Sequence, residues 1–564
     1  MKFENWIVRG FDRDSAVNLV RNGFNPLVAV ILASRGFITT EEAAPMLSDD
    51  ITNLYDPFLL RDMDKAVARI MQAVRDHERV VVFGDYDVDG MTSSCIMYEF
   101  LTSLGLECSV YIPGRLDEGY GLNIPAIDYL SEQGASLIVT VDCGITAVEE
   151  TLHAKNLGID IVITDHHECK AELPDAVAVI DPKREDCTYP NRNLAGVGVA
   201  FKVICALAGK DRLQEMLTKY CELVALGTIA DVVSVRGENR TLIRTGINYL
   251  SKTRRPGLIH LFKETGLDSK RLTTGSIGFA IAPRLNAAGR MGCPDLSVRL
   301  LTTTDPREAE NIAEELCNLN NERRNLVTSI FDEAVEILDK TKVPGPIVLA
   351  KRGWYQGVMG IVAARIAEMH MLPTIMICID ENGIGRGSCR SFGRFQLYSA
   401  LESCSDLLVN FGGHEMAAGL TIKEEDIPEF IQRFQDLYHD MIQIPPVPTL
   451  HIDLEVKKPG LLSLDNLEAA TILEPFGNGN PAPLLCIKNA VLTQLIPVGG
   501  GAHTKVRINK FGESFDGIFF SKTIQELGVR TGDHVDVAFE PQINEFRGRK
   551  SVQMLLMDMK YHEN

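Results

Sequence analysis

The sequence predicts an α/β protein in which two α/β lobes are joined by a long helix and followed by a small C-terminal β-barrel. Between about 79 and 235, short apolar runs alternate with helical stretches, which is typical of a sheet covered by helices. An apolar stripe with helical spacing then extends over 306–341, and a second α/β segment runs from about 346 to 440. Beyond 450, short alternating strands with glycine-rich turns indicate the barrel.

The first lobe is predicted at 51–305, after an N-terminal helical segment at 1–50. Its apolar runs are Val80–Phe83, Ser109–Ile112, Leu137–Val141, Ile161–Ile163 and Val177–Ile180. Because these runs are nearly continuous and rich in β-branched residues, we expect a buried, mostly parallel sheet. Ligands of open parallel sheets bind beyond the carboxyl ends of the strands, so the residues that follow each run are the first candidates for a site.

The connecting helix is predicted at 306–341. Asp305 is the expected N-cap, Pro306 takes the first helical position and Glu308 completes a capping box. The apolar stripe consists of Ile312, Leu316, Leu319, Leu326, Ile330 and Ile337, and Pro344 lies just past the end. A helix of this length would extend about 54 Å, which is enough to bridge two lobes.

The second lobe is predicted at 342–442 and the barrel at 450–564. Pro445, Pro446 and Pro448 mark a linker between them. Within the barrel, the stretch 546–550 (Phe-Arg-Gly-Arg-Lys) has the composition of a basic hairpin with an aromatic residue. Such hairpins occur in grooves that stack single strands, and also on ordinary protein surfaces.

Composition limits the classes of protein that the chain can represent. The first residues lack an apolar stretch and no run approaches roughly eighteen apolar residues, so we expect no signal peptide, no membrane contact and a cytoplasmic location. The 13 cysteines include no Cys-x-x-Cys pair, which argues against a zinc site and a disulfide framework. The net charge of −19 alone argues against a nucleic-acid partner, but part of the acidity is clustered carboxylate that a metal would neutralise.

The strongest local signal is the stretch 85–90, in which Asp85, Asp87 and Asp89 precede a glycine. Three carboxylates within five residues repel one another, and a divalent cation would offset that repulsion. A solvated acidic loop is the plain alternative. An EF-hand opens in the same way, but its twelfth position would be Ile96 rather than Glu, and this loop follows a strand.

More carboxylates and two histidines follow the later runs. Asp142 ends the third run, Asp165-His166-His167 ends the fourth, and Asp231 ends an apolar helical stretch that begins near Leu213. A lone histidine is more often part of a core, but two adjacent histidines at an edge with several aspartates are difficult to explain by packing. Oxygen ligands with one or two imidazoles favour Mn²⁺ or Mg²⁺ over Zn²⁺. Bridging carboxylates would allow two ions, which suits in-line attack of water on a phosphodiester.

The second lobe carries a candidate phosphate site at 383–391. This stretch combines glycines, hydroxyls and two arginines, and its backbone N–H groups, Ser388 and Arg390 are suited to hold a phosphate. A glycine-rich hairpin with surface arginines is the alternative. Trp354 precedes a helix that is predicted to begin near Gly357, and it is suited to stacking on a base or to core packing.

Taken in order, these motifs resemble the DHH phosphoesterase superfamily, whose naming triplet appears as Asp165-His166-His167, and within it the RecJ-like family. The resemblance covers nearly the whole chain. It rests on the stretches Gly84–Gly90, Val141–Ile145, Leu194–Phe201, Leu226–Val233, Pro283–Arg290, Gly412–Gly419 and Pro475–Pro481. The resemblance implies a DHH lobe, a DHHA1 lobe and an OB-type barrel.

The resemblance also implies a role for each matching position. The implied metal ligands are Asp85, Asp87, Asp89, Asp142, His166 and Asp231, with Asp142 as the bridge. The implied catalytic residues are Asp142, His166, His167 and His414, of which His414 would face the scissile phosphate. The implied contacts to phosphate and nucleic acid are Arg115, Arg284, Asn286, Arg290, Ser388, Arg390, Gly412, Gly413 and His414.

Two positions depart from the patterns of the relatives. Many relatives in the superfamily have a histidine where this chain has Phe83, and Asp85 is supplied instead, as in RecJ-like members. The family pattern has Trp-His where this chain has Trp354-Tyr355. The sequence therefore leaves the exact duty of Asp85 and the role of Tyr355 open.

The function that the resemblance implies is 5′→3′ hydrolysis of single-stranded DNA to 5′-mononucleotides in DNA repair and recombination, with two Mn²⁺ or Mg²⁺ ions. A single-strand-binding protein and a helicase are the expected partners besides DNA. One alternative is a DHH phosphodiesterase for short oligonucleotides or cyclic dinucleotides, which would not need 450–564. Another is a non-catalytic DNA-binding replisome scaffold, which is disfavoured because the sequence retains the carboxylates and histidines that catalysis requires.

Overall fold

The computed structural model describes residues 3–48, 50–115, 118–341, 345–441, 447–546 and 548–563. Pro344, Pro445, Pro446 and Arg547, which enter the predictions above, lie outside these ranges, as does the side chain of Phe546. The chain divides into two compact units. One consists of Met1–Asn53, Ser234–Thr241 and Val447–Asn564, and the other consists of Leu54–Val233 and Leu242–Pro446.

Strands and helices alternate through much of the described chain. The strands are β1 (Asn5–Val8), β2 (Arg79–Phe83), β3 (Glu107–Tyr111), β4 (Leu137–Val141), β5 (Asp160–Thr164), β6 (Ala178–Ile180), β7 (Ile347–Arg352), β8 (Thr374–Ile379), β9 (Ile384–Arg390), β10 (Leu408–Gly413), β11 (Ala417–Lys423), β12 (Thr449–Ile452), β13 (Leu454–Glu455), β14 (Leu485–Val498), β15 (His503–Lys510), β16 (Glu513–Phe519), β17 (His534–Phe546) and β18 (Arg549–Tyr561). The α-helices are α1 (Arg13–Arg21), α2 (Pro26–Ser34), α3 (Thr40–Leu47), α4 (Met63–Asp76), α5 (Val88–Ser103), α6 (Ile124–Glu132), α7 (Val148–Asn156), α8 (Gly196–Ala208), α9 (Leu213–Ala230), α10 (Gly237–Leu250), α11 (Pro256–Thr265), α12 (Thr274–Ser276), α13 (Ala282–Arg290), α14 (Asp295–Thr302), α15 (Pro306–Thr341), α16 (Met359–His370), α17 (Leu397–Glu402), α18 (Ile427–Met441), α19 (Leu464–Ala470) and α20 (Ile524–Leu527).

The first lobe is built on a five-stranded sheet with the order β3-β2-β4-β5-β6, and every neighbouring pair in it is parallel. The strands coincide with the five predicted runs to within two residues at each end. The central strands β2, β4 and β5 are almost entirely buried, as their β-branched composition predicts. Because all five strands run in one direction, their carboxyl ends meet at one edge of the sheet.

The predicted connecting helix is α15, and it contacts α11 and α13 of the first lobe and α16 of the second. Asp305 caps it as predicted, since its Oδ1 accepts a hydrogen bond from the Arg307 N–H at 2.9 Å. The predicted capping box is wrong. The Glu308 carboxylate accepts from the Thr303 hydroxyl at 2.6 Å, and the Asp305 N–H donates to Thr303 Oγ1 at 3.2 Å, so Thr303 stands between the two groups that a capping box would join.

The second lobe contains a mixed five-stranded sheet with the order β10-β11-β9-β8-β7, in which β7 and β8 are parallel and the other neighbouring pairs are antiparallel. Successive side chains of β8 enter different cores. Ile375 and Ile377 pack with Phe430 of α18, whereas Met376 packs with residues of α15 and α16. The sheet is therefore covered on both faces, and the long helix forms part of one cover.

The smaller unit contains the predicted barrel. Strands β14, β15, β16, β18 and β17 pair in that order, and β14 also pairs with β17, which closes the ring. Helix α2 packs into the core of the barrel through Leu27 and Ile31, and β1 pairs in parallel with β12. The segments predicted separately at 1–50 and 450–564 therefore share one core. Seven of the nine residues of α2 are buried, which a helix of this apolar composition requires.

No helix within the described ranges combines the length and the apolar character that a membrane crossing requires.

Candidate metal centre and phosphate cleft

The first carboxylates of the site follow β2 and open α5. Asp87 is the N-cap of α5, and one of its oxygens accepts from the Asp89 N–H at 2.9 Å and from the Gly90 N–H at 3.1 Å. An added Cβ at Gly90 would lie 2.6 Å from the backbone nitrogen of Asp85, so the turn closes tightly on itself. This tight strand-to-helix turn brings all three carboxylates to the carboxyl edge of the sheet, as the spacing of the motif predicts.

Asp89 is held by the N-terminus of a second helix. Its two carboxylate oxygens accept from the Gly196 N–H at 2.6 Å and the Val197 N–H at 2.8 Å, which are the first residues of α8. A helix N-terminus favours negative charge, so this contact stabilises the ionised carboxylate. The resemblance motif at 194–201 thus acts here by orienting Asp89.

Asp142 follows β4 with a left-handed backbone, at φ 61°. Its N–H donates to the Thr164 carbonyl at 3.0 Å, and its own carbonyl accepts from the Tyr120 hydroxyl at 3.2 Å. A left-handed conformation is uncommon for a residue other than glycine and costs about 1–3 kcal/mol, so its surroundings must hold it in place. The result is a buried Asp142 side chain directed at the cluster formed by the other strands.

Asp165 of the naming triplet accepts hydrogen bonds that hold the two neighbouring histidines. Burial alone would raise the pKa of its carboxyl, but the hydrogen bond from the His167 ring and the positive charge of His167 lower that pKa to about 2. Its Oδ2 accepts from the Ile145 N–H at 2.9 Å, and its Oδ1 accepts from the His166 N–H and from His167 Nδ1, both at 2.7 Å. Asp165 therefore fixes the positions of both histidines.

His166 stands at the centre of the carboxylate cluster. Its Nε2 lies 3.1 Å from Asp142 Oδ1, 3.7 Å from Asp231 Oδ2 and 3.8 Å from Asp89 Oδ2. Burial and the charge of His167 lower the pKa of His166 to about 3, so its ring is neutral at physiological pH. A neutral imidazole is the form that binds a metal.

The cluster contains buried ligand atoms without a partner. Asp85 Oδ1, Asp142 Oδ1 and His166 Nε2 are all buried and have no hydrogen-bond partner. Three sets of side chains bring their potential ligand atoms within 4.8 Å of one another. They are Asp85 with Asp87 and Asp142, Asp89 with His166 and Asp231, and Asp142 with His166 and His167. Leaving a buried polar atom unpaired costs about 1–3 kcal/mol, so the arrangement fits bound cations much better than an empty core.

The electrostatics of the carboxylates lead to the same conclusion. Burial, followed by the charges of Asp89 and the other carboxylates, raises the pKa of Asp142 well above its usual range. Burial and the charge of Asp87 raise the pKa of Asp231 to about 7. Carboxyls that repel one another in this way are ionised together only when a compensating positive charge is present. Divalent cations with a preference for oxygen and imidazole ligands supply that charge.

Two histidines from different lobes face each other beside the cluster. The rings of His167 and His414 are stacked, with their centroids 6.4 Å apart. Burial would lower the pKa of His167, but its hydrogen bond to Asp165 raises the value to about 9, so the ring is positively charged at neutral pH. Burial and the charge of His167 lower the pKa of His414. The structure therefore brings His167 and His414 together beside the carboxylate cluster.

A cleft of about 970 Å³ extends from this point along the second lobe. Ser388 and Arg390 lie on the face of β9 that lines it, and Arg390 Nη1 donates to Ser388 Oγ at 3.4 Å. An added Cβ at Gly360, near the start of α16, would lie 2.7 Å from Arg390 Nη2 and 2.9 Å from Ser388 Oγ. The two predicted phosphate ligands thus sit beside the N-terminus of α16, which also favours an anion.

Other arginines surround this pocket. Arg115 lines the cleft, and its guanidinium carbon lies 4.8 Å from the ring centre of Tyr86. Burial and the charges of Arg115, Arg323 and Arg390 lower the pKa of Arg290 well below its usual range. Several cations held this close together favour an anionic ligand.

The predicted residues Arg284 and Asn286 do not line the cleft. Arg284 donates to the Ala280 carbonyl at 2.6 Å and to Cys317 Sγ at 3.3 Å on α15, and it does not line the cleft. Asn286 Oδ1 accepts from the Val88 N–H at 3.1 Å, so this side chain supports the start of α5. Neither is brought to the phosphate pocket, because both have partners in the helical layer of the first lobe.

Gly412, Gly413 and His414 form the end of β10 and the turn that leads to β11, and all three line the cleft. Gly413 has φ 139°, and an added Cβ would lie 2.5 Å from the Cα of Ala418, so glycine is required there by the backbone. The His414 N–H donates to the Ala417 carbonyl at 2.8 Å, which closes the turn.

Both residues of the Trp354-Tyr355 pair form hydrogen bonds within the larger unit. Trp354 is buried, and its Nε1–H donates to Glu333 on α15 at 2.7 Å, so core packing is the correct interpretation. The Tyr355 hydroxyl donates to the Arg290 carbonyl at 3.1 Å. This tyrosine therefore joins the second lobe to the helix that carries Arg290.

Sequence reasoning missed two tyrosines of the cleft. Tyr86 lies between the first two metal-site carboxylates and supports Arg115, and Tyr120 contacts both the Asp142 carbonyl and His167 Nδ1, the latter at 3.1 Å. The only available signal was the position of Tyr86 inside the acidic motif. Nothing in the sequence connects Tyr120 with Asp142, because α6 and β4 lie between them along the chain.

Three family models match the chain. The DHH family, N-terminal domain, matches residues 79–228, the DHHA1 domain matches 344–440, and the RecJ OB domain matches 452–558. Among curated proteins, the chain is 39% identical over 563 residues to the single-stranded-DNA-specific exonuclease RecJ of Bacillus subtilis strain 168, covering 99% of this chain and 71% of that protein. The chain belongs to the RecJ family.

Other members agree with this assignment. The RecJ of Escherichia coli K12 is 35% identical over 562 residues, with 94% of this chain and 95% of that protein covered. The solved structure of RecJ from Thermus thermophilus in complex with Mn²⁺ matches with a TM-score of 0.83 and 28% identity, over 99% of this chain and 80% of that one. A Mg²⁺ complex of the same RecJ also matches, with a TM-score of 0.77. The resemblance seen in the sequence is confirmed.

Proposed function

We propose that this RecJ-family chain hydrolyses single-stranded DNA from its 5′ end and releases 5′-mononucleotides, using two Mn²⁺ or Mg²⁺ ions. The observation that carries this proposal is a cluster of buried, unpartnered carboxylate and imidazole atoms beside His167, which itself lines the cleft that contains Arg115, Ser388 and Arg390. The names of the relatives add single-stranded DNA as the substrate class and exonuclease as the activity.

The proposed metal ligands are Asp85, Asp87, Asp89, Asp142, His166 and Asp231. When bound there, divalent ions would polarise the scissile phosphate and lower the pKa of the attacking water. The protein itself supplies the orientation. Asp142, held by its left-handed backbone, belongs to two of the three ligand sets and is the proposed bridge.

The histidines are proposed to contact the scissile phosphate rather than the ions alone. His167 is positively charged at neutral pH and lines the cleft together with His414, so a phosphate at the edges of the two rings would receive charge-assisted hydrogen bonds. Such donors are useful because negative charge on the phosphoryl oxygens persists through the reaction.

The direction of cleavage follows from the proposed role of the arginine-lined pocket. Ser388, Arg390 and Arg115 would hold a terminal 5′-phosphate. Water would attack the next phosphorus, and the P–O3′ bond would break. The released nucleotide would keep its own 5′-phosphate and gain a free 3′-hydroxyl, and the shortened strand would carry a new 5′-phosphate that can enter the same pocket.

The barrel is proposed to bind the part of the strand that is still to be degraded, on the 3′ side of the cleavage point. Its five-stranded closed ring has the architecture of an OB fold, which commonly binds single strands. A single-strand-binding protein and a helicase would present such a strand, and they are the proposed partners. The cytoplasm is the proposed location of this activity.

The test is a 5′-phosphorylated strand labelled at its first or at its last nucleotide, incubated with Mn²⁺. We expect the first label to appear at once as a mononucleotide while the last label stays on long products. Arg390→Ala and Arg115→Ala should each lower kcat/KM about 10- to 150-fold, since a charge-assisted hydrogen bond contributes roughly 1.5–3 kcal/mol.

The matched control is Arg433→Ala, which removes a partly exposed arginine of α18 that pairs with Asp406 outside the cleft. It should leave kcat/KM unchanged. Early release of the 3′ label would contradict the proposed direction. Unchanged kinetics of both cleft variants would contradict the pocket.

A further inference from the structure

The cleft continues beyond the proposed terminal-phosphate pocket. Strand β9 presents Arg386, Ser388 and Arg390 on one face, because alternate residues of a strand point to the same side. All three line the cleft. Successive positions on this face are separated by about 7 Å, which is of the order of the spacing between neighbouring phosphates in an extended single strand.

Residues that pair across the neighbouring strands β9, β11 and β10 form rows on the face of the sheet that lines the cleft. Ser388 pairs with Gly419, and Gly419 pairs with Gly412. One step further along, Arg386 pairs with Thr421, and Thr421 pairs with Asn410. Arg386, Thr421 and Asn410 form a polar row that lies further from His414 than the phosphate pocket does.

The glycines between the pocket and the polar row are not explained by the fold. Neither Gly412 nor Gly419 has a positive φ. An added Cβ would meet nothing within 4 Å at Gly412, and only the Gly387 carbonyl, at 3.8 Å, at Gly419. A larger residue at either position would therefore project into the cleft rather than into the protein. The two glycines keep open a path that leads past Ser388 to the polar row.

The polar row is suited to a nucleoside. Arg386 is positioned by its contact with Gln356 Oε1 at 3.4 Å, and Gln356 also lines the cleft. Together, a guanidinium, a hydroxyl and an amide offer both donors and acceptors to sugar hydroxyls and base edges, without matching a single base. The cleft volume of about 970 Å³ is at the upper end of the range for small-molecule sites, which leaves room for more than one nucleotide.

We propose that Arg386, Thr421 and Asn410 form a further nucleoside subsite on the 5′ side of the terminal-phosphate pocket, which lets the protein degrade strands that end in a 5′-hydroxyl by removing a dinucleotide first. This inference rests on the proposed exonuclease function. In a strand without a terminal phosphate, the first internal phosphodiester occupies the Ser388–Arg390 pocket, and the terminal nucleoside lies over the polar row.

The reaction is the same hydrolysis moved by one nucleotide. Water adds to the second phosphorus, the P–O3′ bond breaks, and the 3′-oxygen leaves as a hydroxyl after gaining a proton. The products are a dinucleoside monophosphate and a strand with a new 5′-phosphate. Every later cycle then releases mononucleotides.

The experiment uses the full chain with Mn²⁺ and one oligodeoxynucleotide sequence prepared with a 5′-phosphate or a 5′-hydroxyl, and the first products are identified by mass spectrometry. We expect a mononucleotide from the phosphorylated strand and a dinucleoside monophosphate from the hydroxyl strand. The double variant Arg386→Ala, Asn410→Ala should lower kcat/KM on the hydroxyl strand about tenfold, as expected for the loss of one or two hydrogen bonds, and change it less than twofold on the phosphorylated strand.

The matched control is Lys423→Ala, which removes a positive charge two residues beyond Thr421 on β11, outside the cleft. It should leave both substrates unaffected. Release of a free nucleoside from the hydroxyl strand, no cleavage of that strand, or an equal effect of the double variant on both strands would overturn the subsite. A wild-type protein that fails on the phosphorylated strand as well would instead overturn the proposed function.

Discussion

Gly196→Ala is expected to inactivate the protein while preserving its fold. Gly196 has no positive φ and begins α8, so alanine suits its backbone, and helix propensity alone would favour the change by about 0.5–1 kcal/mol. An added Cβ would, however, stand 2.6 Å from the Cβ of Asp142. Restoring ordinary contact at 3.4 Å requires the two groups to separate by about 0.8 Å.

The size of the loss follows from this displacement. Misplacing a catalytic group by about 1 Å can cost roughly 10²-fold in rate, and Asp142 is the proposed bridge between two ions. We therefore expect kcat to fall about 100-fold on a 5′-phosphorylated strand, with weaker Mn²⁺ binding by isothermal titration calorimetry. Circular dichroism should show an unchanged fold.

The control lies two residues further along the same helix. An added Cβ at Gly198 would meet Leu194 Cδ2 at 3.1 Å, which is the far end of a flexible side chain, so Gly198→Ala should retain activity within about threefold of the parent, a rate change worth less than 1 kcal/mol. The reasoning is refuted if Gly196→Ala is folded and matches the Gly198→Ala variant in both kcat and Mn²⁺ affinity.

Three further predictions concern single side chains. Tyr120→Phe removes the hydroxyl that donates to the Asp142 carbonyl at 3.2 Å and should lower kcat roughly 2- to 10-fold, so an unchanged kcat in steady-state assays would show that this contact is dispensable. Burial raises the pKa of Asp181 to about 8, whereas the pKa of an aspartate in an unfolded chain is near 3.9. Between these two pH values the metal-free parent should therefore lose up to about 1.4 kcal/mol of stability per pH unit as the pH rises. Asp181→Asn should not lose this stability, because asparagine does not titrate. The prediction is contradicted if the difference in melting temperature between variant and parent is the same at pH 5 and at pH 8. Phe520→Ala should weaken binding to a long single strand by about 1–3 kcal/mol, because the exposed Phe520 ring lies 5.2 Å from the His503 ring on the barrel surface and is suited to stack on a base. Phe511→Ala, at the other end of the β15–β16 hairpin, should leave the affinity measured by fluorescence anisotropy unchanged.

The sequence predicted the first lobe closely because its signals are local. Each β-branched run became one strand, and the clusters that begin at Asp85, Asp142 and Asp165 each follow a strand, so the parallel arrangement alone placed these residues at one edge. This inference requires no knowledge of side-chain contacts. It depends only on the direction of the strands and on the positions at which they end.

Placements that depend on packing between distant segments could not be predicted. Arg284 belongs to a motif of the family, yet its guanidinium bonds to Cys317 on α15, and a sequence cannot show which helix will lie beside it. The N-terminal helices were separated from the barrel for the same reason. Leu27 and Phe539 are more than 500 residues apart and share one core, and no local pattern connects them.

The same limit applies to residues that complete the site from a loop. Tyr120 reaches the Asp142 carbonyl only because its loop lies next to the carboxyl end of β4, and Tyr355 reaches the Arg290 carbonyl only because two lobes meet. The sequence could name the type of each side chain but not its partner. Geometry decides the role of Tyr355, which is to join the lobes through a hydrogen bond.

The most direct test of the central claim is a joint measurement of bound Mn²⁺ and of turnover for the wild-type protein and for Asp142→Ala. We expect two Mn²⁺ ions per wild-type chain and mononucleotide release from 5′-phosphorylated single-stranded DNA. Asp142→Ala should lose at least one ion and about 10³-fold in rate, since metal-derived charge stabilisation is worth several kcal/mol. A folded Asp142→Ala variant that keeps two ions, or that retains more than about a tenth of the wild-type rate, a loss below roughly 1.4 kcal/mol, would contradict the account.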